Sequence, residues 1–128
     1  LACALGHQAC LRGYKTKYYR ASRLFEELEL ARGDGRYPKL MRAISRFNLI
    51  IIDDWGLSPL KEHERRDMLE ILEDRYGNAS TIIAGQMPVE HWHDVIGNPT
   101  FADAIMDRLV HQAYKIELDG DTMRRKKK

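Results

Sequence analysis

Apolar and polar positions fall into blocks along this chain, and the period of the pattern changes from block to block. Residues 1–12 open on Leu1-Ala2-Cys3-Ala4-Leu5-Gly6 and read as a helix stopped by Gly13. Residues 15–20 (KTKYYR) carry the aromatic and Thr content of a short strand. A helix is expected from a cap at Ser22, through an acidic first turn at Glu26 and Glu27, to about Arg32, with Gly33-Asp34-Gly35 as a break. Residues 37–46 form a second amphipathic helix with Pro38 in its first turn. The run Leu49-Ile50-Ile51-Ile52 is continuous and apolar, as expected of a parallel strand buried on both faces. Residues 62–76 then return to a helical period, with Met68, Leu69, Ile71, Leu72 and Tyr76 as the apolar stripe. Residues 80–84 (STIIA) read as another short buried strand, followed by a short helix between Pro88 and Gly97, a helix over 99–112 and a last strand over 114–118.

Strands alternating with helices predict an α/β fold with a parallel sheet, whose ligands gather at the carboxyl ends of the strands. Three of those ends hold Arg20-Ala21-Ser22, Asp53-Asp54 and Gly85-Gln86. The 128 residues suffice for one domain with its own core, and no apolar run approaches the roughly 20 residues of a membrane helix. The 44% apolar share excludes a wholly disordered chain. Charge is uneven. The last five residues, from Arg124 to Lys128, carry +5, so the net +2 leaves the other 123 at −3. Cys3 and Cys10 stand seven apart on one expected helix, roughly 10 Å, too far for a disulfide, and are expected as buried thiols.

The chemistry-bearing feature is the apolar strand that delivers Asp53 and Asp54. A buried strand can fix one carboxylate to hold Mg²⁺, usually through water, and a second to orient or activate an attacking water. The same pair is common where a strand simply ends in a turn. The five histidines form no metal motif: His91 and His93 are two apart, and His63-Glu64 lacks a second His at zinc-helix spacing.

Residues 1 to about 125 resemble the IstB-like ATPases that assist transposases and, more distantly, the DnaC-type replicative helicase loaders. The resemblance is carried by Leu1 to Gly6, Tyr18-Tyr19-Arg20-Ala21-Ser22 and Ile52-Asp53-Asp54-Trp55-Gly56-Leu57. It continues through Arg66-Asp67, Leu69 to Tyr76, Ser80 to Ile83, Trp92-His93 and Ala102 to Leu109. It implies a three-layer P-loop NTPase core of the AAA+ initiator clade. Residues 1–120 would be the C-terminal part of that ATPase domain, and 121–128 a disordered basic tail. Asp53 and Asp54 match the Walker B carboxylates, for Mg²⁺ and water respectively. Arg108 in Asp107-Arg108-Leu109 matches the arginine finger, which acts on ATP held by a neighbouring subunit. An ion pair of Arg108 with Asp103 or Asp107 is the plain alternative.

Two departures qualify the match. No GxxxxGK[ST] run occurs in the 128 residues, so the backbone N–H cradle for phosphates is absent from them. The expectation is a truncated module without its first strand and phosphate loop, inactive as an ATPase by itself. Ala84-Gly85-Gln86 also stands where the family usually has two hydroxyl residues, leaving Gln86 as the polar candidate for nucleotide or water.

The resemblance further implies a cytoplasmic protein that self-associates through the Arg108 face, takes ATP and Mg²⁺ as cofactors, and works with DNA and a transposase. Residues 22–46 match the helical insertion that faces DNA in the initiator clade. Arg23, Arg36, Lys39, Arg42 and Arg46 are therefore candidates for phosphate contact, with Arg124, Arg125, Lys126 and Lys127 of the tail. A solvated helix face laced with Glu26, Glu27 and Glu29, and a solvated tail, are the alternatives. A helicase loader and a non-catalytic remnant that binds nucleic acid weakly stand as the other readings of the whole.

Overall fold

The Leu49-to-Ile52 run becomes the middle strand of a three-stranded parallel sheet in the computed structural model, which describes residues 2–112. The strands are β1 (Thr16–Arg20), β2 (Leu49–Asp53) and β3 (Ser80–Ile83), in the order β1-β2-β3. Tyr18 pairs with Ile51, Arg20 with Asp53, and Ile52 with Ile83. The first four residues of β2 are buried, and only Asp53 is partly open. That explains why its apolar residues do not alternate with polar ones.

Successive side chains leave a strand on opposite faces. Ile50 and Ile52 join the main core with Leu24, Leu28, Ile44, Met68 and Ile71. These come from α2 (Ala21–Asp34), α3 (Tyr37–Arg46) and α4 (Glu62–Arg75). Beyond them pack α5 (Trp92–Ile96) and α6 (Pro99–Gln112), which bring Ile96 and Ile105 to the same core. Ile51 points the other way, toward α1 (Ala2–Leu11): a Cβ on Gly6 would lie 2.6 Å from its Cδ1. Helices therefore cover both faces of the sheet, giving three layers. Each fully buried Ile contributes roughly 1.5–3 kcal/mol over an exposed one.

Several boundaries differ from the expected ones, for physical reasons. Helix α2 starts at Ala21, with Arg20 at the N-cap position and neither a Ser22 cap nor an acidic first turn. It runs through Gly33 and Asp34 because buried Leu28 and Ala31 anchor its last turns, and the N–H of Arg36 closes on the Ala31 carbonyl at 2.9 Å. Helix α4 ends at Arg75, and Tyr76 falls outside the apolar stripe, 51% exposed. Its start is held by the Lys61 N–H donating to Glu64 Oε1 at 2.8 Å. Strand β3 is half-buried, not buried, because it is an edge of the described sheet. The segment after Pro88 begins as a 3₁₀ turn (Val89–His91) before α5. Contact of α1 with the sheet centres on Gly6, and Cys10, a turn later, is exposed and free. The expected strand at 114–118 and the basic residues Arg124, Arg125, Lys126 and Lys127 lie outside the described residues.

Candidate functional site

The parallel register brings the carboxyl ends of β1, β2 and β3 together, and with them the three expected segments. Asp53 closes β2 opposite Arg20. Its Oδ1 accepts the N–H of Asp54 at 2.8 Å, and its Oδ2 accepts the Tyr18 hydroxyl at 2.6 Å. Asp54 is a non-glycine residue in the left-handed region, φ +56°, a conformation that costs energy and collects at functional sites. Its Oδ2 lies 3.5 Å from Arg20 Nε. Both carboxylates are half-buried.

The next residue locks this turn to β3. The Trp55 N–H donates to the Ala84 carbonyl, and the Ala84 N–H to the Ile52 carbonyl, each at 2.9 Å. The two loops then approach so closely that a Cβ on Gly85 would lie 2.4 Å from the Trp55 carbonyl oxygen. Glycine at 85 is thus a packing requirement, which accounts for one of the missing hydroxyls. The Trp55 ring is buried against Trp92, centroids 6.1 Å apart, and Trp92 Nε1 donates to the Met87 carbonyl at 2.9 Å. An open cleft of about 530 Å³ lies beside this contact, lined by Trp55, Gly56, Leu57, Gln86, Met87 and His91 among others. Gln86 is exposed on its rim.

Arg108 sits apart, on α6. Its guanidinium bonds Asp107 at 3.0 Å, approaches Glu73 at 3.9 Å, and lies over the Tyr76 ring at 5.3 Å. Asp103, the other expected partner, instead meets His93 Nε2 at 3.0 Å. The candidate DNA residues Arg23, Lys39, Arg42 and Arg46 are exposed on α2 and α3. Arg36 is exposed too but engaged: its Nε donates to Asp34 at 2.7 Å, which holds that carboxyl below its ordinary value.

Two buried charges went unread in the sequence. Asp67 is fully buried and accepts from Arg32 and, at 2.7 Å, from the Tyr37 hydroxyl, joining α2, α3 and α4. Burial, then the Asp67 carboxylate, push the Tyr37 phenol well above its usual range. Arg75, 2% exposed, donates to the carbonyls of Ile44, Phe47 and Ser80 and to Thr81 Oγ1. Burial pulls its pKa down to about 10. The signal was a stride of four: 67, 71 and 75 fall on one face of a helix with Ile71 between the charges.

Mg²⁺ commonly takes one or two carboxylates and completes its shell with water and phosphate oxygens. Asp53 and Asp54 fit that donor set. Each Asp53 oxygen accepts one hydrogen bond and keeps a further lone pair. Among the described residues no group of three or more His, Cys, Asp or Glu could hold a metal ion unaided.

A family model described as IstB-like ATP binding protein matches residues 1–128. Two proteins of Sinorhizobium fredii, named putative insertion sequence ATP-binding proteins y4pL and y4uH, are 60% and 46% identical over 125 residues. They cover 98% of this chain and 51% and 50% of their own lengths. The chain thus spans about half the length of these curated relatives. Among solved structures, the replication initiator DnaA bound to AMPPCP and single-stranded DNA superposes with a TM-score of 0.71 at 18% identity. The match covers 81% of this chain and 33% of that one. The DnaC helicase loader superposes at 0.61 and 19%, covering 78% and 61%. At such identities the likeness is one of fold, and the fold is the α/β AAA+ P-loop class.

Proposed function

The chain belongs to the IstB-like ATP-binding protein family, and on that premise we propose that it is the carboxylate-bearing part of a transposon helper ATPase. In this reading the whole protein binds ATP with Mg²⁺, assembles on DNA, and assists the transposase of its element in selecting target DNA. The observation that supports it most is the Asp53-Asp54 pair at the end of the central strand, held from β1 by Tyr18 and Arg20. Asp53 would hold the ion, which supplies charge neutralisation at the phosphates. Asp54 would orient and polarise water, and Gln86, on the next strand end, would face nucleotide or water. Arg108 would act in trans, so that its face is also where copies associate. Its present partners on α4 and α6 would then be exchanged for phosphate.

The exposed bases Arg23, Lys39, Arg42 and Arg46, with Arg36 and the tail residues Arg124 to Lys127, would contact DNA phosphates without reading bases. The relatives' names favour an insertion sequence over a replicative helicase as the setting. The helicase-loader reading has fold likeness alone behind it. No helix among the described residues is long and apolar enough to cross a membrane.

The test uses the complete reading frame that encodes these residues. Asp54→Asn should keep ATP binding in calorimetry and lose hydrolysis. Asp53→Ala should weaken Mg²⁺-dependent nucleotide binding. Arg108→Ala should bind ATP normally and hydrolyse it slowly at every protein concentration. Undiminished turnover in both carboxylate variants would refute the assignment.

A further inference from the structure

We infer that Tyr18 is a positioning residue for Asp53, setting the carboxylate's orientation toward a divalent cation. The inference rests on the reading of Asp53 as the metal-holding carboxylate. Its physical basis is the sheet register. Tyr18 pairs directly with Ile51, and Asp53 lies two residues further along β2. Residues two apart share a face of a strand, and a diagonal neighbour across a strand pair is within reach of an aromatic side chain. Tyr18 therefore leans along β1 toward Asp53, and its hydroxyl meets Oδ2 at 2.6 Å.

The other carboxylate oxygen is already tied to the Asp54 N–H at 2.8 Å. With both oxygens held, the carboxylate plane cannot turn about χ2 without breaking a bond. What is left open is one lone-pair direction on each oxygen. A ligand so held meets its ion without first losing rotational freedom. Partners of metal-ligating carboxylates commonly change metal affinity by 10–100-fold when removed. Tyr18 is 42% exposed and lies outside the buried core, so its hydroxyl can be removed without unfolding the chain.

The experiment measures Mn²⁺ binding by the loss of the free-ion electron paramagnetic resonance signal. It is done on the complete reading frame with ADP present, for wild type, Tyr18→Phe, Asp53→Ala and the double variant. Tyr18→Phe keeps the ring and removes only the donor. Its Mn²⁺ dissociation constant should rise about tenfold while the melting temperature stays within about 2 °C. Asp53→Ala should weaken binding at least as much, and adding Tyr18→Phe to it should change nothing further. If Tyr18→Phe binds Mn²⁺ within twofold of wild type while Asp53→Ala loses it, the positioning role is overturned and the metal role of Asp53 stands. If Asp53→Ala itself leaves Mn²⁺ affinity unchanged, the metal role falls, and this inference with it.

Discussion

Gly85→Ala puts a single methyl where the ends of β2 and β3 meet, and competing terms decide its sign. The added Cβ would lie 2.4 Å from the Trp55 carbonyl oxygen, 3.3 Å from its carbon and 3.4 Å from the Trp55 Cβ. An unstrained carbon-to-oxygen contact is about 3.3 Å, so the two backbones must separate by roughly 0.9 Å. The atom met is backbone, with no side-chain rotation to relieve it. A shift of that size stretches the 2.9 Å bond from the Trp55 N–H to the Ala84 carbonyl beyond hydrogen-bonding distance. Overpacking of this kind costs about 1–3 kcal/mol, and the lost bond about 1 kcal/mol more. Against this, alanine loses less chain entropy on folding than glycine, a gain of about 0.4–1 kcal/mol. The clash wins, and the net loss is about 2 kcal/mol. For a chain of this size that lowers the melting temperature by about 8 °C. Thermal melts followed by circular dichroism measure it, and amide exchange should accelerate at Trp55 in the same variant. A Gly85→Ala protein that melts at or above wild type would show that only the entropy term operates and that the strand ends are not in contact. The same clash predicts that introducing threonine at 85 is more damaging than alanine.

Three further outcomes follow from buried and exposed charges. Arg75→Met returns the cost of burying a cation, about 3 kcal/mol for a pKa drawn down to about 10. It also strips donors from three carbonyls at about 1–3 kcal/mol each, so a net loss of about 3 kcal/mol is expected in urea titrations. Stability equal to wild type would mean that those carbonyls find other donors. Tyr19 is buried and, through burial and then the nearby Glu27 carboxylate, pushed up to about 12. A phenol with a raised folded pKa contributes stability that is complete below pH 10 and lost as pH rises through 12. Tyr37 and Arg75 also titrate at high pH, so the Tyr19 share is read as wild type minus Tyr19→Phe. That difference in unfolding free energy should fall by about 3 kcal/mol across the window, and a difference independent of pH would refute the burial of the phenol. For DNA, Arg23→Ala with Lys39→Ala should weaken binding alike for unrelated sequences. If both side chains contact phosphates, it should lower the slope of log affinity against log salt by about 2, and an unchanged slope would remove α2 and α3 from the interface.

The carboxylates and their strand were legible in the sequence because a buried parallel strand has no polar face. Leu49 to Ile52 form an uninterrupted apolar run, and the first charges after it mark its carboxyl end. What holds those charges was not legible. Tyr18 and Arg20 reach Asp53 and Asp54 only in the observed register, and a slip of one residue would turn Tyr18 to the opposite face. Register joins segments 35 residues apart, so no local pattern displays it. Asp67 and Arg75 were passed over for a different reason. A charge on a helix is ordinarily solvated, and a place beside Ile71 in the apolar stripe does not say what would pair a buried carboxylate or guanidinium. Arg32 and Tyr37, which meet Asp67, and the Ile44 carbonyl, which meets Arg75, lie about 30 residues away. The broken expectation at Gly33 has the same root: local propensity ends a helix there, but the burial of Leu28 and Ala31 outweighs a cost of about 1 kcal/mol for one glycine. These cases separate two kinds of information. Chemistry that must sit at a strand end is written locally, next to the run that positions it. Chemistry that orients it is written in the pairing of distant strands: Tyr18 and Arg20 become partners of Asp53 and Asp54 only because β1 lies beside β2.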